Sequence, residues 1–149
     1  MKKILLSMTL AVAILGSAFA TPADKEPSVM AKAAFAKEFS TIKEVTWEAA
    51  NAEGIYQATF TFNNESLQAY FTEEGEFLGT TRIISVARLP LPASNALARN
   101  YAGYHIVSVF EYSRPESVAY YITMSNAKGG LILEATGNGE LTVYKRIKQ

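Results

Sequence analysis

The sequence predicts an α+β protein: a tandem repeat of one helix plus about four antiparallel strands, with the helices packed on one sheet face. Three observations predict it. Helical periodicity begins near Ser28 and again near Ser94, and period-two alternation fills the stretches between and after. The two halves also match each other. Ala34-Phe35-Ala36-Lys37-Glu38-Phe39 lies against Ala96-Leu97-Ala98-Arg99-Asn100-Tyr101, 62 positions later, with both alanines identical. Gly75-Glu76-Phe77-Leu78-Gly79-Thr80-Thr81-Arg82-Ile83 lies against Gly139-Glu140-Leu141-Thr142-Val143-Tyr144-Lys145-Arg146-Ile147, 64 positions later, with Gly, Glu, Arg and Ile identical. Two separated matches at nearly equal offsets are the signature of an internal repeat.

The N-terminus reads as a secretory signal over residues 1–20. Lys2 and Lys3 give a positive start, Ile4 to Leu15 is almost continuously apolar, and Ala18-Phe19-Ala20 presents small residues at a cleavage site. The run is shorter than the roughly 20 residues a bilayer core demands. No stable membrane insertion is expected after cleavage, and with no cysteine anywhere no lipidated-cysteine anchor is expected either. Removing 20 of the 149 residues leaves 129, enough for a core without cross-links. Lys2 and Lys3 are two of the 14 basic residues, so 12 then face 14 acidic ones, a net charge of −2. Without a basic block, nucleic acid is not an expected partner.

Residues 21–27 carry two prolines and read as a flexible lead. The first repeat is placed at 28–88. Ser28 is its N-cap, and Val29, Ala33, Phe35, Ala36 and Phe39 form the helix's apolar stripe. Strand signals follow at Val45-Thr46-Trp47, at Ile55 to Phe62, at Leu67 to Thr72 and at Phe77 to Ile84, with turns at Asn63-Asn64 and Glu73 to Glu76. Leu89-Pro90-Leu91-Pro92 opens the second repeat, 89–149, since prolines suit the start of a helix. Ser94 to Tyr101 is its helix, stopped near Gly103. Ile106 to Tyr112, Val118 to Met124, Leu131 to Ala135 and Leu141 to Ile147 are its strands.

Catalytic and metal chemistry is not written in the chain. His105 is the only histidine and Asp24 the only aspartate. Zinc sites want several His or Cys ligands, and a Ser-His-Asp triad would have to draw on Asp24 in the lead. His105 reads as a helix-to-strand junction residue. Glu73 and Glu76 form a carboxylate pair, but in a hairpin turn where such groups are solvated. No Gly-rich phosphate loop follows a strand, and no cofactor is expected. The expectation is a protein that is not an enzyme.

The Ala-Phe-Ala-Lys-Glu-Phe helix at Ala34 to Phe39, Val45-Thr46-Trp47, the Tyr-x-Ala-x-Phe strand at Tyr56 to Phe60, the Gly-Glu-Phe hairpin at Gly75 to Phe77 and the Leu-Pro opening the second half together resemble the PepSY-like, β-lactamase-inhibitor-like family of periplasmic proteins. The resemblance spans nearly all of the chain after residue 20. It implies a tandem helix-plus-four-strand fold, a periplasmic location, no catalysis and an inhibitor-like role.

Strand alternation, counted from the residues assigned to the core, nominates the face turned away from the helices. In the first half it carries Gln57, Thr59, Gln68, Tyr70, Thr80 and Arg82; in the second, Tyr121, Thr123, Ile132, Glu134, Tyr144 and Arg146. Tyrosine and arginine are enriched where proteins meet proteins. Tyr70, Arg82, Tyr121, Tyr144 and Arg146 are therefore the candidate contacts for an envelope protein or peptide, against the plain alternative of a solvated sheet face, where the same residue types suit strands. Trp47 belongs to the core, or is an anchor if partly exposed. A different function is carriage of a small apolar ligand between sheet and helices, in a cavity lined by Phe60, Phe62, Tyr120 and Met124.

Overall fold

Ser28 sets the first helix in place from both sides. Its hydroxyl accepts from the Ala31 amide at 3.0 Å, capping α1 (Val29–Glu38), and donates to the Glu73 carbonyl at 2.6 Å, tying the helix start to a hairpin turn. The computed structural model describes residues 26–50 and 53–147; the signal segment and most of the lead lie outside the described residues. After α1 come β1 (Thr46–Ala49), β2 (Ile55–Phe62), β3 (Glu65–Thr72), β4 (Phe77–Ile84), a 3-10 turn at Val86–Arg88, α2 (Leu91–Asn100), β5 (His105–Arg114), β6 (Ser117–Asn126), β7 (Gly129–Thr136) and β8 (Leu141–Ile147). The eight strands follow one another in sequence order through one antiparallel sheet, and the helix-plus-four-strands pattern occurs twice.

Residues up to Leu78 form one compact unit and those from Gly79 onward a second, the division falling inside β4. In the first unit the core is aromatic. Phe35 of α1 meets Phe60 at 5.3 Å and Trp47 at 5.5 Å, both edge-on, and Phe39 meets Phe60 at 4.8 Å. Ala58 and Ala69, opposite one another on β2 and β3, are small enough for the ring of Phe35 to reach the sheet. The buried helix positions are Ala31 and Phe35, with Ala34 and Phe39 partly covered. Val29 is 84% exposed and Ala33 and Ala36 are exposed, so the expected stripe is displaced. Positions 31, 35 and 39 form a four-residue ridge that keeps one ring per turn against the sheet.

In the second unit Ala93 and Leu97 of α2 pack on Ile84, Val109, Ile122, Met124, Leu131 and Leu133. The helix starts three residues earlier than the expected Ser94, at Leu91, and carries Pro92 in its first turn, where a missing amide costs nothing. The proposed carrier cavity is not formed as expected. Phe60 belongs to the first core, Tyr120 and Met124 to the second, and Phe62 is 48% exposed.

The repeat extends to individual hydrogen bonds. Thr72 and Thr136 close their hairpins identically: the amide donates to the carbonyl of Glu76 or Glu140 at 3.0 Å, and the hydroxyl accepts that glutamate's amide at 3.2 Å. The glycine before each glutamate has φ +84 at Gly75 and +90 at Gly139. A Cβ there would sit 2.7 Å from a carbonyl in the adjacent helix's first turn, that of Met30 or Pro92. Each glycine thus lets its hairpin close onto its own helix.

Candidate binding face

Opposed residues in an antiparallel ladder share a sheet face, so each strand's pairing register assigns its side chains. In the first unit Gln57 opposes Tyr70 and Thr59 opposes Gln68, all turned from α1 because Ala58 and Ala69 between them face it. Tyr70 is nonetheless buried, 1% exposed, and its hydroxyl donates to Gln57 Oε1 at 3.1 Å while Gln57 Nε2 donates to Thr59 Oγ1 at 3.3 Å. Tyr70 is thus on the expected face but is not an accessible contact.

Arg82 departs from its expected face. It opposes Glu111, which opposes Tyr120, and its neighbour Ile84 opposes Val109; Tyr120, Ile84 and Val109 belong to the core under α2. The Arg82 Nε donates to Glu111 Oε1 at 2.8 Å, an ion pair on the helix side. Thr80, two residues back, shares that face. Counting from Phe77, which packs under α1, puts Arg82 away from the helix; counting from Ile84, which packs under α2, puts it beside the helix. Gly79, at φ +139, lies between the two counts.

Arg146 departs for a related reason. A bulge at Tyr144 interrupts the ladder between Ile132–Lys145 and Leu133–Val143, and beyond it Arg146 opposes Leu131, a core residue. One extra residue reverses the alternation, so Lys145 takes the outer face and Arg146 the helix side.

Tyr121, Tyr144 and Glu134 lie on the face where alternation placed them, and the structure adds Tyr112 and Arg114 around them. Tyr121 opposes Glu134, and its ring meets Tyr144 edge-on at 5.3 Å. The Arg114 guanidinium lies 5.3 Å over the Tyr112 ring, two residues along the same face of β5. Burial pushes the phenols of Tyr112, Tyr121 and Tyr144 up; Glu134 adds to this at Tyr121 and Tyr144, and the Arg114 charge opposes it at Tyr112 and Tyr121. These hydroxyls stay neutral at physiological pH and can donate or accept. Arg114 Nε is buried with no acceptor among the described residues. The sequence reading ended β5 at Tyr112 and so missed Arg114; carrying the alternation one step further would have found it. His105 is exposed at the start of β5, and Trp47 is half-buried in the first core.

Among the described residues there is no group of three or more His, Cys, Asp or Glu side chains placed to hold a metal ion, and no helix long and apolar enough to cross a membrane. An open groove of about 310 Å³ runs beside α1, lined by Phe35, Phe39, Ile42, Val45 and Trp47 with Lys32 among them.

No family model and no curated protein matches the chain. Solved structures do. A BLIP-like protein from Bacteroides fragilis superposes with a TM-score of 0.72 at 18% identity, over 85% of this chain and 91% of its own. A DUF2874 family protein from Bacteroides uniformis gives 0.70 at 20% identity, over 78% and 86%. A protein from Bacteroides eggerthii whose description names the periplasm gives 0.70 at 18% identity, over 83% and 90%. At these identities the likeness is one of fold: the chain has the architecture of the DUF2874 and BLIP-like proteins of Bacteroides.

Proposed function

We propose that this protein is an exported, non-catalytic binding module, inhibitor-like in character, that recognises an envelope protein or peptide through the helix-free sheet face of its second unit. One observation carries this: Tyr112, Tyr121 and Tyr144, with Arg114 and Glu134, converge on one face of β5 to β8. Aromatic rings held by a sheet offer large contact area at little entropic cost. The fold likeness to a BLIP-like protein supports a protein partner, and the signal-like N-terminus supports a periplasmic or secreted location. The contacts proposed are Tyr144 and Arg114, the partly exposed members of the cluster, seated on the buried rings of Tyr121 and Tyr112; Tyr70 is likewise buried, and Arg82 and Arg146 belong to the helix side.

The test is capture of a partner from envelope extract by the native protein beside Tyr144→Ala, Thr123→Arg and Arg146→Ala. Thr123 opposes Ile132 on the proposed face, so an arginine there obstructs it without touching either core. Loss of the partner in Tyr144→Ala and Thr123→Arg but not in Arg146→Ala is expected. Loss in Arg146→Ala alone would move the site to the helix side.

The alternative, carriage of a small apolar ligand, is supported by the groove beside α1. It predicts that a fatty acid quenches Trp47 fluorescence saturably, and that Phe39→Arg abolishes the quenching.

A further inference from the structure

We propose that Arg114 is the receptor for a carboxylate, an Asp or Glu side chain of the partner, making this corner of the face specific for an acidic residue. The inference rests on the binding face described above and names the chemistry it recognises. Its first support is the buried Arg114 Nε, which has no acceptor among the described residues. An arginine donor taken from water and left unpaired is costly, and native proteins keep such groups where a partner completes them. Its second is orientation. The guanidinium is held 5.3 Å over the Tyr112 ring, and the planar fork of a guanidinium suits a bidentate carboxylate.

The surroundings set the specificity. Glu134 lies on β7, two strands across from Arg114 on β5 and four residues away along the ladder, roughly 10 Å laterally and roughly 13 Å along the strands. That is too far for an ion pair, so Glu134 leaves the guanidinium to a carboxylate from outside. Gly79 keeps the arrangement open: a Cβ there would meet the Ser113 carbonyl at 2.5 Å and Cε2 of Tyr112 at 2.8 Å. Any larger residue must displace the ring on which Arg114 rests.

The experiment follows the arginine Nε–H signals of isotope-labelled protein by NMR, with Arg114→Lys assigning the Arg114 signal. The probes are the blocked peptides Thr-Glu-Thr and Thr-Gln-Thr, and inorganic phosphate. The Glu peptide should shift the Arg114 signal saturably, and the Gln peptide should bind at least about tenfold more weakly. Arg114→Lys, which lacks the planar fork, should lose the response with the rest of its spectrum unchanged. Gly79→Ala should weaken it by displacing Tyr112. Equal responses to Glu and Gln peptides, a phosphate response as strong as the Glu peptide's, similar shifts at every arginine, or no shift at all would each overturn the proposal. If the Glu peptide fails while Tyr144→Ala still loses the captured partner, the carboxylate assignment falls and the face stands. If the Glu peptide binds Arg114 while Tyr144→Ala and Thr123→Arg keep the partner, the face reading falls.

Discussion

Replacing Gly75 or Gly139 by alanine should destabilise the protein by about 2–5 kcal/mol each, and by similar amounts. Both have positive φ, +84 and +90, a conformation costing a non-glycine residue about 1–2 kcal/mol. The new Cβ would also lie 2.7 Å from the Met30 or Pro92 carbonyl oxygen, closer than carbon and oxygen tolerate, so hairpin and helix must separate by a few tenths of an ångström. Forcing such a shift in a packed region costs about 1–3 kcal/mol. With an m-value of about 1.5 kcal/mol/M, each variant should lower the urea midpoint by more than about 1 M. Circular dichroism follows both; fluorescence of Trp47, the only tryptophan, follows the first unit. Gly103 and Gly137 are internal controls: a Cβ at either meets nothing within 4 Å and neither has positive φ, so alanine there should be neutral or stabilise by about 0.4–1 kcal/mol. If Gly75→Ala and Gly139→Ala unfold with the wild type, or the controls cost as much, the glycines are not what brings hairpin and helix together.

Phe35→Ala removes the ring that meets Phe39, Trp47, Phe60 and Phe71, and should cost about 3–5 kcal/mol with a red-shifted Trp47 emission; a loss under about 1 kcal/mol would mean the first core does not depend on it. Glu111→Gln weakens the Arg82 ion pair, whose side chains are 28% and 15% exposed, and should cost about 1–2 kcal/mol in urea melts, with coupling to Arg82→Met measured by a double-mutant cycle. Alkaline stability follows from the raised phenols of Tyr112, Tyr120, Tyr121 and Tyr144, caused first by burial. A raised folded-state pKa means the neutral form is preferred on folding, so this contribution is complete below the unfolded value of about 10 and is lost as pH rises through the folded values. Stability should hold to about pH 10 and then fall with the appearance of tyrosinate absorbance, and Tyr121→Phe should reduce the slope; an unchanged slope would remove Tyr121 from the account.

The architecture was legible because each repeat states it in two independent ways. Period-two alternation marked Ile55 to Phe62 and the turn at Glu73 to Glu76 marked Phe77 to Ile84, both to the residue, and the Gly-Glu pairs marked the hairpins that close onto the helices. What resisted was the helix face. Alanine is the commonest residue in α1 and suits either side of a helix, so Ala31 and Ala33 cannot be told apart by type; Phe35 and Phe39, expected in the stripe and found in the core, are the unambiguous markers. The start of α2 was obscured in the same way. Pro92 reads as a break before the helix, although the first turn is where proline fits.

The candidate face shows a sharper limit. Alternation assigns faces only as far as the backbone stays regular, and its errors fall where it does not. Tyr121, Thr123 and Glu134 follow the count because β6 and β7 pair without interruption. Arg146 fails because the extra residue at Tyr144 inverts everything after it, and Arg82 fails on a strand inside which the chain passes from the first unit to the second. Arg82 and Arg146 are identical in the repeat, yet both lie in the second unit, on the helix side of its sheet rather than on the face assigned to them. Repeat matching reads equivalence, and alternation reads direction. A bulge preserves the first while reversing the second. The residues on which recognition is proposed, Tyr112, Arg114, Tyr121 and Tyr144, therefore rest on register: Tyr112 and Tyr121 on direct pairing to Ala119 and Glu134, Arg114 on pairing to Ser117, and Tyr144 on its ring contact with Tyr121 across the bulge.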